Sequence, residues 1–283
     1  MSGGLLTRGM TADSAVRFLA VDATDAVNEA QRRHGLNAAA ARLMGDIMVA
    51  GLMMSAYIKG EERLTLQLQA DTPRLALICD VDAEGGTRAR MTPRSLPASW
   101  TGVIDGVLMV IKHNANKELY RGMTGIERAD MTHALMRHLT ESSQVDALLR
   151  LHTELDDAGT VVFSGGLLVE RMPPAKDLPH LEPEAFAAHY GAIQRMDAAQ
   201  IRAAIAEGAL LDAPLLVMES RPLTWRCRCS VERIESMLVA LGPEELQDMI
   251  EKDHGAEVTC HFCNETYAIS EDRLTALLAL HSA

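Results

Sequence analysis

Two cysteine pairs near the C-terminus constrain this chain more than any other feature. Cys227 and Cys229 stand in the run Trp225-Arg226-Cys227-Arg228-Cys229, and Cys260 and Cys263 in Thr259-Cys260-His261-Phe262-Cys263, so a C-x-C and a C-x-x-C are separated by thirty residues. Two short chelating pairs brought together in space give the tetrahedral sulfur cage that zinc favours. Four thiolates leave no position open for a substrate or a catalytic water. The spacing predicts one Zn2+ held by Cys227, Cys229, Cys260 and Cys263 in a structural role. The tight C-x-C half, with Arg226 and Arg228 before its cysteines, departs from the paired C-x-x-C knuckles of ordinary zinc ribbons and points to a thiol switch.

The remaining composition is that of a soluble globular protein. At 283 residues, 48% hydrophobic and 23% charged, the chain has room for one large domain and one small one. With only 4% aromatic residues against sixteen methionines, its core must be built from Leu, Ala, Val and Met rather than rings. The formal charge of -12 argues against nucleic acid as partner, since affinity for phosphates comes from Lys and Arg. The N-terminus lacks the basic start and apolar stretch of a secretory signal, and no run approaches eighteen uninterrupted apolar residues, so neither export nor a membrane span is expected. A cytoplasmic location follows, and thiols kept available in metal spacing fit a reducing compartment.

Hydrophobic periodicity divides the chain into three parts. Residues 16 to 23 read as a strand, Asp25 to His34 as a helix closed by Gly35, and Asn37 as the cap of a long helix to about Tyr57, in which Gly45 and Gly51 allow close approach of a neighbour. Arg63 to Gln69, Leu75 to Val81 and Thr87 to Met91 predict an antiparallel meander, followed by strands at Val103 to His113 and Leu119 to Met123. A helix over Ala129 to Leu139 and a strand over Val161 to Arg171 complete an α+β core domain, residues 1–172. Pro173, Pro174, Pro179 and Pro183 then place four of the ten prolines within eleven residues. They open a linker, residues 173–222, whose short Ala-rich helical pattern from Glu184 to about Leu216 needs something to pack on. The last module, residues 223–283, holds all four paired cysteines. Ser230 caps a helix to Leu241, Gly242-Pro243 stops it and starts another to about Asp253, Val258 to Ile269 forms a hairpin, and Ser270 caps a final helix.

A module of this size is marginal on its hydrophobic core alone, and structural zinc contributes on the order of 10 to 16 kcal/mol in small peptides. Losing the metal should therefore unfold it. Arg226, Arg228, Arg233, Lys252, His254 and His261 are candidates to offset the charge of four thiolates. On oxidation the natural disulfide partners are the near neighbours, Cys227 with Cys229 and Cys260 with Cys263. In the chain-entropy description so short a loop constrains the unfolded chain by only about 1.6 kcal/mol, against about 3.7 kcal/mol for a link between the halves. Oxidation thus exchanges a long-range clasp for two local links, and the expected consequence is zinc release and loss of fold.

The C-terminal module resembles the redox-switch domain of the heat-shock protein 33 family, cytoplasmic redox-regulated holdase chaperones. The likeness rests on the C-x-C and C-x-x-C pair, on Leu241-Gly242-Pro243-Glu244-Glu245-Leu246 and on Gly255-Ala256-Glu257-Val258-Thr259 before Cys260. It extends to Leu64-Thr65-Leu66-Gln67-Leu68-Gln69 and Phe163-Ser164-Gly165-Gly166-Leu167-Leu168-Val169, and so covers most of the chain. It implies a non-enzymatic chaperone with a metastable linker: a reduced zinc-bound monomer of low activity that, on oxidation, forms Cys227-Cys229 and Cys260-Cys263, releases zinc, dimerises and binds unfolding clients without ATP.

Other residues have plainer roles. Cys79, within Leu75-Ala76-Leu77-Ile78, reads as a buried apolar side chain, and Met44, Met48, Met53 and Met54 as core rather than a client surface. The stretch Leu210 to Met218 is the better client-binding candidate, sticky if uncovered. His152-Thr153-Glu154 supplies the H-x-E of a zinc deaminase, but it lies far from Cys260 and four cysteines would close such a site. A zinc-ribbon adaptor without switching is the remaining alternative.

Overall fold

The computed structural model describes residues 4–115, 117–142, 144–173, 181–207, 209–210 and 213–279, with mixed α+β architecture. It comprises two compact units, Met1–Arg226 and Cys227–Ala283. The first unit opens with β1 (Gly4–Thr11), β2 (Val16–Asp22), α1 (Thr24–His34) and α2 (Ala38–Met54), the last extended by a 3-10 turn through Tyr57. The meander β3 (Glu62–Thr72), β4 (Arg74–Asp82) and β5 (Gly86–Thr92) follows, then β6 (Ile104–Asn114), β7 (Lys117–Ala129), α3 (Met131–Glu141), β8 (Ala147–Leu155) and β9 (Val161–Arg171). It closes with α4 (Pro183–Tyr190), α5 (Ala198–Glu207), β10 (Ala209–Leu210) and β11 (Ala213–Trp225). The strands form one sheet in the order β7-β6-β3-β4-β5-β11-β1-β2-β9-β8, with β10 paired to β11.

Helix α2 is the axis of this unit. Asn37 accepts a hydrogen bond from the Ala40 N–H at its start, as its sequence predicts. Met44, Met48 and Met53 are fully buried and Met54 nearly so, in contact with the large core that the inner faces of both halves of the sheet share. Residues Ala38–Tyr57 are long and apolar enough to cross a bilayer, yet 78% of the apolar window is buried inside the unit, and that burial accounts for its composition. A Cβ on Gly45 would stand 2.4 Å from the Thr153 Oγ1 and 2.7 Å from the Ser164 Oγ; one on Gly51 would stand 3.0 Å from Val81. Both glycines let strands approach the helix, as the sequence suggests.

On the opposite face of the sheet lies a second, smaller core. Phe186, Tyr190, Ile193 and Ile201 from the α4–α5 segment pack on Phe18, Phe163, Leu167 and Val169. These short helices find in the sheet the support that their length requires. Arg17 and Glu170, register partners on β2 and β9, form a half-buried ion pair, and the Tyr57 hydroxyl donates to the same carboxylate. Glu170 is 2% exposed, and these contacts fasten the end of α2 to two strands.

Three long strands, and the two-residue β10, were not foreseen. β1 carries two glycines and little alternation. In β8, Leu149, Leu151 and Thr153 point inward and alternate with Arg150, His152 and Glu154, a period hidden by reading the last three residues as a motif. β11 is the largest departure, because residues 213–222 were expected to close a helical linker. Pro214 and Pro222 oppose a helix, and the β-branched and apolar residues between them suit a strand that pairs antiparallel with β1 over Leu215 to Leu223. Pro174 and Pro179 of the proline cluster, and Leu211 and Asp212 of the apolar stretch, lie outside the described residues.

The second unit follows its sequence closely. Ser230 caps α6 (Val231–Leu241), accepting from the Arg233 N–H, and Gly242, at φ 102°, ends it before α7 (Pro243–Asp248). A π-helical turn through Asp253 leads to the hairpin β12 (Gly255–Thr259) and β13 (Thr266–Ser270), then α8 (Glu271–Ala279). Ile234, Leu238, Leu246, Ile269 and Leu274 form its small core, and Arg273 on α8 grips Glu235 on α6 through two bonds of 2.5 and 2.7 Å.

Gly45→Ala tests the helix packing. Helix propensity alone favours alanine by about 1 kcal/mol. The close approach of Thr153 and Ser164 reverses that sign, and a net loss of about 1–3 kcal/mol is expected in urea unfolding.

Candidate metal centre

The two cysteine pairs are presented differently. Cys260 and Cys263 occupy the turn between β12 and β13, where the Cys260 N–H donates to the Glu265 carbonyl and the Asn264 N–H to the Cys260 carbonyl, both at 2.8 Å. Asn264 takes a left-handed conformation, φ 60°, to close this turn. Cys227 and Cys229 lie in the irregular segment between β11 and α6. The four sulfurs all lie within 4.8 Å of one another. Cys227 Sγ is 3.7 Å from Cys260 Sγ, and Cys229 Sγ is 3.2 Å from Cys263 Sγ, so both contacts join one cysteine of C-x-C to one of C-x-x-C.

This donor set fits zinc. Zn–S bonds of about 2.3 Å in a tetrahedron put sulfurs about 3.8 Å apart, close to the spacing found. Burial pushes the Cys263 and Cys229 thiols above their ordinary pKa, the Tyr267 hydroxyl acting in the other direction at Cys229. A coordinated divalent cation reverses that preference and holds such thiols deprotonated. The four sequence-predicted ligands are thus brought together, in an arrangement suited to holding a metal rather than to catalysis.

The surrounding charges differ from expectation. Arg226 pairs with Glu84 at 2.8 Å and Asp82 at 3.6 Å within the first unit. Lys252 pairs with Asp248, His254 lies 3.1 Å from Glu271, and Arg233 donates to the Arg228 carbonyl. These groups therefore have partners other than the sulfurs. His261, flanked by Cys260 and Phe262, is exposed. A polar side chain that does reach a ligand is Tyr267, whose hydroxyl donates to Cys229 Sγ at 3.0 Å. Sequence reading missed it; the signal was its place on the inward face of β13, two residues before buried Ile269.

Cys79 is fully buried and its thiol is pushed up to about 12, which suits its expected role as inert core. His152, Thr153 and Glu154 sit on β8 in the first unit. Thr153 donates to Asp46 at 2.8 Å and Glu154 meets Arg202 at 3.3 Å, so two of the three already serve local contacts. They border a cleft of about 460 Å³ that also includes Arg42, Asp46 and Asp130.

The similarities to known proteins agree with this geometry. The family model described as Hsp33 protein matches residues 4–270. The chain is 30% identical to the 33 kDa chaperonin of Bacillus subtilis, covering 96% of this chain and 97% of that one. Against the 33 kDa chaperonin of Enterococcus faecalis it is again 30% identical, with 96% and 95% covered. The fold matches the crystal structure of the 33 kDa chaperonin (heat shock protein 33 homolog) of Thermotoga maritima with a TM-score of 0.78, at 21% identity over 99% of both chains. The chain belongs to the Hsp33 family. Its curated relatives carry the name of a chaperonin rather than of an enzyme, and its function is that of a chaperone.

One titration should be visible in stability. Burial, with Asp130 nearby, raises the Asp46 carboxyl from 3.8 to about 7. The folded state therefore holds this proton more tightly than the unfolded state. The stability it contributes is fully present below about 4 and is lost as pH rises through about 7. Asp46→Asn should flatten the fall in urea-unfolding stability across that window; an unchanged slope would show that Asp46 does not cause it.

Proposed function

We propose that the chain is a redox-regulated, ATP-independent holdase whose reduced, zinc-bound form is inactive. The observation that carries this reading is the cluster of four sulfurs, two from each half and all within 4.8 Å of one another, in a unit with a small apolar core. Zinc on Cys227, Cys229, Cys260 and Cys263 joins the two halves. Oxidation takes one peroxide for each pair: two thiolates give up two electrons to it, and with two protons from solvent it leaves as two waters. The products are the Cys227-Cys229 and Cys260-Cys263 disulfides and free Zn2+. Each disulfide closes only a local loop, so nothing of comparable strength then joins the halves.

In this reading the core domain, residues 1–172, carries a responsive segment, residues 173–222, and a zinc module, residues 223–283. The clients are unfolding proteins, met in the cytoplasm by an oxidised dimer. The stretch ending at Met218 is the candidate client surface. Leu216, Val217 and Met218, 57%, 51% and 66% exposed on β11, support that choice, since contiguous exposed apolar side chains mark interaction sites.

The test follows zinc release with a colorimetric chelator while light scattering records aggregation of a heat-unfolding protein, before oxidation, after peroxide, and after reduction. Coincident release and reversible suppression of scattering are expected. Zinc retained under peroxide, with scattering unchanged, would instead leave a structural zinc adaptor. Limited proteolysis should show new cuts between residues 178 and 218 after oxidation; an unchanged pattern there removes this segment as the responsive one.

A further inference from the structure

We propose that Tyr267 is a positioning residue for the metal centre: its hydroxyl holds Cys229 in ligating orientation and sets how firmly the C-x-C half retains zinc. The proposal rests on the four-thiolate reading and assigns a regulator to that site. The two halves differ in how they are braced. The C-x-x-C turn is fixed by the β12–β13 ladder and by its own backbone hydrogen bonds. The C-x-C half lies in a segment without regular structure, so the orientation of Cys229 depends on contacts from elsewhere.

Tyr267 supplies such a contact from the opposite half. It sits on β13 opposite Val258, on the strand face that also buries Ile269. Its O–H reaches 3.0 Å to Cys229 Sγ, thirty-eight residues away in sequence. The phenol has one proton, and donating it to sulfur has two effects. It fixes the Cys229 side chain where the other three sulfurs are, and it draws negative charge from the thiolate, easing the crowding of four anionic ligands on one cation. Because the bond crosses between the halves, it forms only when both are in place. It therefore adds to the clasp at the point where oxidation must break it. Groups that brace metal ligands in this way typically account for 10- to 100-fold in affinity.

The experiment compares full-length reduced wild type with Tyr267→Phe, which keeps the ring and removes only the hydroxyl. Tyr120→Phe, in the first unit, is the control. Zinc affinity is measured by competition with a chromophoric chelator, and cobalt(II) is substituted to record its sulfur-to-metal charge-transfer band. The expected result is an affinity about 10-fold or more weaker in Tyr267→Phe, with the band moved to lower energy because the unbonded thiolate gives up its electron more readily. Tyr120→Phe should show neither change. The band reads only metal-loaded molecules, so it reports on Cys229 even where the variant folds incompletely. Equal affinities and superimposable bands would overturn the role of Tyr267. A wild-type protein that takes up neither ion on four sulfurs would instead overturn the reading beneath it.

Discussion

The first unit depends on the burial of one helix. α2 has fourteen buried residues, and a helix apolar on nearly all sides cannot be stable in water alone. It must be enclosed, and β2, β3, β4, β5, β8 and β9 all contribute to its surroundings. The sequence of α2 also sets how near those strands come. Alanines and glycines admit close approach, while flexible methionines fill the irregular gaps left between strands. The few polar groups at this boundary are each answered: Asp46 by Thr153, Thr153 by Ser164, and Glu170 by Arg17 and Tyr57.

The second unit has a different economy. A handful of buried apolar side chains and the Arg273–Glu235 fork hold its helices together, and the sulfur cluster joins the segment before α6 to the β-hairpin. Such a unit is poised, since removing one set of contacts removes a large fraction of what opposes chain entropy. With a metal on the four cysteines, the same smallness would make the fold responsive to it. A large core like that around α2 would tolerate the loss of one set of contacts.

Much of this could be read from residues alone, for identifiable reasons. Helix ends written in their own residues are legible locally: Gly35 stops α1, Asn37 caps α2, and α6 has both Ser230 and Gly242. The four cysteines are legible because metal spacing is a short-range pattern, and the alternating meander β3–β5 is equally local. Apart from β8, whose alternation is local, what escaped was non-local. β11 is a strand because β1 is beside it, and nothing within residues 213–225 announces that partner. Tyr267 reaches Cys229 only through the folded hairpin, and Arg226 turns to Glu84 rather than to the adjacent thiol because β5 and β11 meet.

That meeting has a bearing on how the chain is made. Among the described strands, β11 alone joins the half-sheet of β5 to that of β1, touching β5 only at Thr224 and Trp225. The N-terminal strand β1 is synthesised first, yet its second neighbour emerges from the ribosome some two hundred residues later. At typical elongation rates of about 5–20 residues per second, the edge of β1 stays open for at least about ten seconds and that of β5 for at least about seven. Open strand edges invite pairing with other chains. A protein of a chaperone family thus passes through an exposed stage of its own, and its sheet closes only when the segment that leads into the cysteines arrives.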